Sequence, residues 1–209
     1  MPTRVVTLSH ATGAGGEAIG RTVASDLGFR YLDEEIITLA AQKEGLDAAV
    51  VADAERRKSF LARLLAGLAE PAMMDTSVAM LTPEAVTMRS DHVRAVIVEA
   101  IREVAERGRV VIVSHAASIP LAGRRDVLRV LVTASEETRA QRVARDGLSG
   151  TADPARFVRD NDASRADYFQ RFYRIERELP THYDLVINTD ALTADEAADI
   201  TVAAARRRA

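Results

Sequence analysis

Gly13, Gly15 and Gly16 follow an apolar run near the start of the chain, in the order Arg4-Val5-Val6-Thr7-Leu8-Ser9-His10, then Ala11-Thr12-Gly13-Ala14-Gly15-Gly16-Glu17-Ala18. Glycine takes backbone angles closed to other residues, and a helix starting here turns unpaired N–H groups toward the loop. The chemistry this suits is the cradling of phosphate. Thr12, Gly13, Ala14, Gly15, Gly16, Glu17 and Ala18 are therefore the expected phosphate-binding residues. A full Walker A loop carries lysine where Gly16 stands and serine or threonine where Ala18 stands, so the loop alone does not establish catalysis. Gly13-x-Gly15-x-x-Ala18, with Asp33 about twenty residues on, also fits the loose dinucleotide fingerprint. A tight strand-to-helix turn without a ligand is the third reading.

Other reactive side chains stand where apolar runs end. Asp33 follows Phe29-Arg30-Tyr31-Leu32, and Ser114-His115 follows Val110-Val111-Ile112-Val113. For Asp33, helix capping and ligand binding are both open. His10, His115 and Asp33 share no metal-ligand spacing motif, so no metal site is assigned. No Gly-x-Ser-x-Gly elbow marks a hydrolase, and neither Lys43 nor Lys58 has a tyrosine four residues before it, which excludes a Tyr-x-x-x-Lys oxidoreductase.

A second reactive set is the arginine-dense stretch Arg139, Arg142, Arg145, Arg156, Arg159, Arg165, Arg171, Arg174 and Arg177, interrupted by Gly147-Leu148-Ser149-Gly150-Thr151. Two helices hinged by that loop could fold over a polyphosphate. The interleaved Glu136, Glu137, Asp146, Asp160, Asp162, Asp167, Glu176 and Glu178 equally describe a solvated, salt-bridged helix pair. Only some of these arginines can be functional.

The elements that must position these groups alternate between strands and helices. Ile19-Val23-Leu27 reads as a helix closed by Gly28, and Val93, Val96, Ile97, Ala100, Ile101 and Val104 as another ended by Gly108. An unbroken apolar strand is expected at Val110–Val113 and another buried strand at Val127–Val132, with a helix from near Ser135. Tyr183–Thr189 is the expected last strand, and Thr193-x-x-Glu196 is a capping box opening the last helix. Residues 48–89 read as a helical lobe beside the sheet. Such alternation implies right-handed crossovers and a parallel sheet.

At 209 residues, with 47% hydrophobic and 28% charged residues, the chain suits a single soluble domain over 1–209. The absence of cysteine removes disulfides, thiolate metal sites and cysteine nucleophiles. A net charge of −3 argues against a generally basic nucleic-acid binder. No apolar run approaches the roughly 20 residues that cross a bilayer, so neither nucleic acid nor membrane is an expected partner and the cytoplasm is the expected location.

Taken in order, Thr7-Leu8-Ser9 with Thr12–Gly16, Tyr31-Leu32-Asp33-Glu34-Glu35-Ile36-Ile37, Val110–Ala116, Asp162-x-x-Arg165-x-x-Tyr168 and Tyr183–Thr189 resemble the cytidylate kinase-like family of P-loop nucleoside monophosphate kinases. The resemblance spans nearly the whole chain. It implies a P-loop three-layer α/β/α fold with a five-stranded parallel sheet, a helical acceptor lobe at 48–89 and an arginine-rich lid at 139–178. It further implies Mg²⁺ with ATP, and phosphoryl transfer to a nucleoside monophosphate such as CMP or a similar small acceptor. Asp33, His115, Asp162 and Arg165 would contact that acceptor, and Arg142 and Arg145 would clamp the transferring phosphate as catalytic residues. Relatives tend to carry arginine where His10 stands in the cleft and Gly-Arg-Gly around His115. An imidazole with a pKa of about 6.5 replaces a permanent guanidinium charge poorly, so a nucleotide sensor or regulatory module without turnover is the alternative.

Overall fold

The structure is a computed structural model. It describes residues 2–33, 36, 38–39, 83–114, 116–147 and 153–208, with side chains from residue 94 onward in the helix that begins at 83. His115, most of the 48–89 lobe, residues 148–151 of the glycine-serine loop and Ala152 lie outside the described residues. The chain divides into two compact units, Met1–Glu34 with Ile101–Ala209, and Glu35–Ala100.

In the larger unit the strands are β1 (Val5–His10), β2 (Arg30–Leu32), β3 (Val110–Val113), β4 (Val127–Thr133) and β5 (Leu185–Asn188). They form one five-stranded sheet in the order β2-β3-β1-β4-β5. Every pairing is parallel, with Val5 opposite Val110 on one side and Val127 on the other. The helices are α1 (Gly16–Leu27), α2 (Pro83–Arg107, which runs across the division between the units), α3 (Glu136–Arg145), α4 (Pro154–Tyr173) and α5 (Ala194–Arg207).

One face of the sheet buries Val6, Leu8, Val111, Val113, Leu128 and Val130 against Ile19 and Val23 of α1 and Ala198 and Val202 of α5. The alternate positions Val5, Thr7, Val110, Ile112 and Val127 are just as buried, as a sheet covered on both faces requires. The architecture is therefore three-layer α/β/α. Because β1 lies centrally, with its chain continuing to one side and β4 on the other, the crevice at its carboxyl end is where such sheets take ligands.

Two boundaries differ from the sequence expectation. Helix α2 begins at Pro83, not beyond Arg89, because its first turns lack the apolar repeat that marks the remainder. The last strand is shorter than Tyr183–Thr189. Tyr183 closes a 3₁₀ turn at Pro180–His182, and its neighbour Asp184 is drawn to Arg129, whose Nη2 donates over 2.8 Å.

Candidate functional site

Helices α3, α4 and α5 each start on a side-chain cap. Ser135 accepts from the Thr138 N–H, Asp153 from the Arg156 N–H, and Thr193 from the Glu196 N–H, the last within the expected capping box. Helix α1 starts differently: Gly15 is its N-cap and supplies no side-chain acceptor. The first N–H groups of α1 are thus left for an anion.

Gly13 and Gly15 hold left-handed φ angles of 81° and 85°, which glycine alone takes without strain. A Cβ at Gly13 would meet the Arg139 carbonyl at 2.7 Å, so the loop packs directly on α3 there. At Gly15 a Cβ would meet nothing within 4 Å. The loop is closed on its packed side and open above Gly15, as a phosphate cradle must be. Above it lies a cleft of about 450 Å³ lined by His10, Gly13–Ile19, Arg142, Arg145, Asp146, Thr189, Leu192 and Ala194.

The structure brings His10, the loop from Gly13 to Ala18, Arg142 and Arg145 to this one cleft. Arg142 reaches it with its fork already engaged. Its Nη1 donates to Thr189 Oγ1 at 2.9 Å, and its Nη2 to the Thr189 carbonyl at 2.6 Å. Arg145 is exposed and pairs with Asp146 at 2.7 Å. Thr12 contributes its carbonyl to Arg139, over 3.3 Å.

His10 packs against Gly16, where a Walker lysine would stand; a Cβ at position 16 would run into the imidazole. Its Nδ1 lies 3.3 Å from the Ala11 carbonyl and its Nε2 3.3 Å from Ser114 Oγ. A carbonyl only accepts, so Nδ1 carries the hydrogen and the neutral ring accepts from Ser114 at Nε2. Burial lowers the His10 pKa below its ordinary value, opposed by the Ala11 bond and reinforced by Arg165. Ser114 itself holds a left-handed φ of 68° at the end of β3.

Asp33, Asp162 and Arg165 lie outside that cleft. Asp33 accepts from the Tyr31 hydroxyl at 3.2 Å. Asp162 on α4 takes both Nη groups of Arg139, at 2.9 and 2.7 Å. Arg165 forks onto Glu178 with two 2.8 Å bonds and donates to Ser9 Oγ at 2.5 Å. Tyr183 completes this group by donating its one hydroxyl hydrogen to Glu178, with its oxygen 3.1 Å from Ser9 Oγ. Burial alone would raise the Glu178 carboxyl, but the bonds from Arg165 and Tyr183 hold it below the usual range. The Tyr183 hydroxyl is pushed up to about 12 by burial and by the adjacent carboxylate.

Sequence reasoning named Arg139 and Glu178 only within the interleaved charges, and Ser9, Tyr183 and Thr189 only within motifs, without a role at the site for any of them. Thr189 was findable, since it follows an apolar strand in the same way as His10 and Ser114. Arg139 was findable as the residue three positions before Arg142 on the same helix face. Nothing local marks Glu178 as the partner of Arg165.

The cradle fits a phosphate chain. A divalent cation would find less protein here: Ala18 has no hydroxyl, and among the described residues no three acidic or histidine side chains converge. Among the described residues no helix is long and apolar enough to cross a membrane.

The profile of the cytidylate kinase-like family matches residues 5–191. No curated protein matches the chain significantly. Among solved structures, an uncharacterized protein from Eubacterium ventriosum aligns with a TM-score of 0.64 at 14% identity, covering 96% of this chain and 97% of that one. A gluconokinase from Sinorhizobium meliloti aligns at 0.52 and 14% identity, covering 99% and 93%. A shikimate kinase from Bacteroides thetaiotaomicron aligns at 0.50 and 16% identity, covering 97% and 96%. At these identities the likeness is one of fold.

Proposed function

The chain belongs to the cytidylate kinase-like family, and from that premise we propose that it transfers a phosphoryl group from a nucleoside triphosphate to a nucleoside monophosphate or similar small acceptor. The observation that carries this reading is the open cleft above Gly15, with an uncapped helix start on one side and Arg142 and Thr189 on the other. Phosphoryl transfer asks a protein chiefly for positioning and charge neutralisation. Here the α1 N–H groups bind the phosphates, and Arg145 is free to swing from Asp146 toward them. Arg142 gives three of its five N–H groups to Gly13 and Thr189 oxygens, which orients the guanidinium and leaves Nε–H and one Nη2 hydrogen to clamp the transferring phosphate. Magnesium arriving with ATP would supply further charge neutralisation to the triphosphate. Asp33, His115, Asp162 and Arg165 are the proposed acceptor side, with CMP the first acceptor to test, and the cytoplasm is the proposed setting.

The second reading is a nucleotide sensor on the same fold. His10 in the space of the missing lysine, Ala18 without a hydroxyl, and the Arg165 fork held by Glu178 favour it. A thermal-shift panel of nucleoside mono- and triphosphates, with and without magnesium, followed by a coupled assay on every binding pair, separates the two. Binding with turnover supports the kinase. Binding without turnover across the panel supports the sensor, and no binding at all overturns both.

A further inference from the structure

We propose that Thr189, at the carboxyl end of β5, is a positioning residue for the donor triphosphate, fixing the phosphate loop and Arg142 through one hydroxyl group. This rests on the donor-site reading above. The Thr189 Oγ1 donates to the Ala14 carbonyl at 3.0 Å, with the Thr133 carbonyl a second acceptor at 3.3 Å, and accepts from Arg142 Nη1 at 2.9 Å. The residue is only 3% exposed and its bond to Ala14 is buried, so the loop carbonyl is left without that donor if the hydroxyl is lost.

The bond belongs to a series. Three consecutive loop carbonyls each accept from a side chain: Thr12 from Arg139 at 3.3 Å, Gly13 from Arg142 at 3.4 Å, and Ala14 from Thr189. In a trans peptide the C=O of one residue and the N–H of the next point in opposite directions. Holding the Ala14 carbonyl against Thr189 therefore turns the Gly15 N–H to the other side of the loop. Arg139 and Arg142 are themselves held, the first by Asp162 and the second by the Thr189 carbonyl on Nη2 and the Thr189 hydroxyl on Nη1, so that the hydroxyl fixes the second arm of the fork. Thr189 is the one group in the series that touches both the loop and an arginine of the cleft. A loop without the Walker lysine is thereby shaped from its carbonyl side, and a threonine hydroxyl sets the last bond before the helix.

Valine has the shape of threonine without the hydroxyl, and serine has the hydroxyl without the methyl group. Calorimetric titration of Thr189→Val, Thr189→Ser and the unaltered protein with magnesium ATP and with inorganic tripolyphosphate is the test, well below each protein's melting temperature. Thr189→Val should bind both ligands about tenfold more weakly, and Thr189→Ser within about threefold of the unaltered protein. Arg142→Ala should cost less ATP affinity in the Thr189→Val background than alone, a coupling that a purely structural threonine would not produce. Should Thr189→Val fail to fold, Thr189→Ala carries the same comparison. Affinity unchanged in the hydroxyl-free variant, serine as impaired as valine, or additive losses with Arg142→Ala would each overturn the proposal while leaving the donor site standing. An unaltered protein that binds neither ligand overturns the donor-site reading and the proposal with it.

Discussion

The imidazole of His10 fills the space that a side chain on Gly16 would need. The two positions are therefore coupled: glycine at 16 is the residue that lets a ring at 10 lie over the start of α1. Restoring the Walker lysine alone should not restore a Walker site. Gly16→Lys is expected to lower stability by about 1–3 kcal/mol through overpacking, with no gain in turnover. His10→Ala combined with Gly16→Lys should recover part of that loss. Urea unfolding of the two single variants and the double variant measures the coupling, and strictly additive losses would show that the ring moves aside at no cost.

Gly15 tests the cradle itself. A side chain there meets no protein atom within 4 Å but stands in the cleft, and the φ of 85° strains any L-residue. Gly15→Val should fold with a loss of about 1–3 kcal/mol and bind nucleotide at least tenfold more weakly. Equal affinity in a well-folded Gly15→Val protein, by calorimetric titration, would remove the phosphate-binding role of the loop.

The glycine loop, the buried strands and the parallel order were legible because each has a local signature: φ-permissive residues, unbroken Val and Ile runs, and a Thr193–Glu196 box. The cleft was partly legible for the same reason, since His10, Arg142 and Arg145 sit next to such signatures. What the sequence did not disclose is pairing. Arg139 with Asp162 and Arg165 with Glu178 are separated along the chain and look like any other interleaved charges until α3, α4 and the segment before β5 are packed. The start of α2 was illegible for another reason, because a polar helical turn carries no period.

Arg165 and Glu178 form a bidentate pair whose side chains are 24% and 18% exposed, and lysine cannot reproduce the fork. Arg165→Lys is expected to cost about 1–3 kcal/mol of stability and, if the acceptor side is as proposed, to raise the acceptor KM with the donor KM unchanged. Stability loss without any kinetic change would make the pair purely structural. Because the folded pKa of Glu178 is lowered, its contribution is present above the unfolded value of about 4.3 and fades as pH falls through the folded one. Glu178→Gln should therefore flatten the acid limb of a stability–pH profile.

Tyr183 gives the opposite limb. Its folded pKa, raised to about 12, exceeds the unfolded value of about 10, so its contribution is complete below pH 10 and is lost as pH rises toward 12. Tyr183→Phe should be less stable at neutral pH and lose less on moving from about pH 9 to pH 11. Chemical denaturation at both pH values reads the difference. Parallel losses in the two proteins would show that another group governs the alkaline limb.

His10 gives a pH test of the cleft. The groups around it are Ser114 and the Ala11 carbonyl in contact, with Arg165, Glu17 and Asp33 acting through their charges. Its folded pKa is lowered, chiefly by burial, so the ring is neutral at pH 7 and its contribution to stability fades as pH falls below about 6.5 through the folded value. A bound phosphate chain reverses that balance, because an adjacent anion favours the imidazolium. Triphosphate affinity relative to His10→Ala should therefore rise as pH falls from about 7.5 to about 5.5. The comparison with His10→Ala is needed because phosphate's own second ionisation, near pH 6, works in the other direction for both proteins alike. A ratio of affinities that stays constant across this range would show that the ring over Gly16 never meets the phosphate charge, and that its packing there is its whole role.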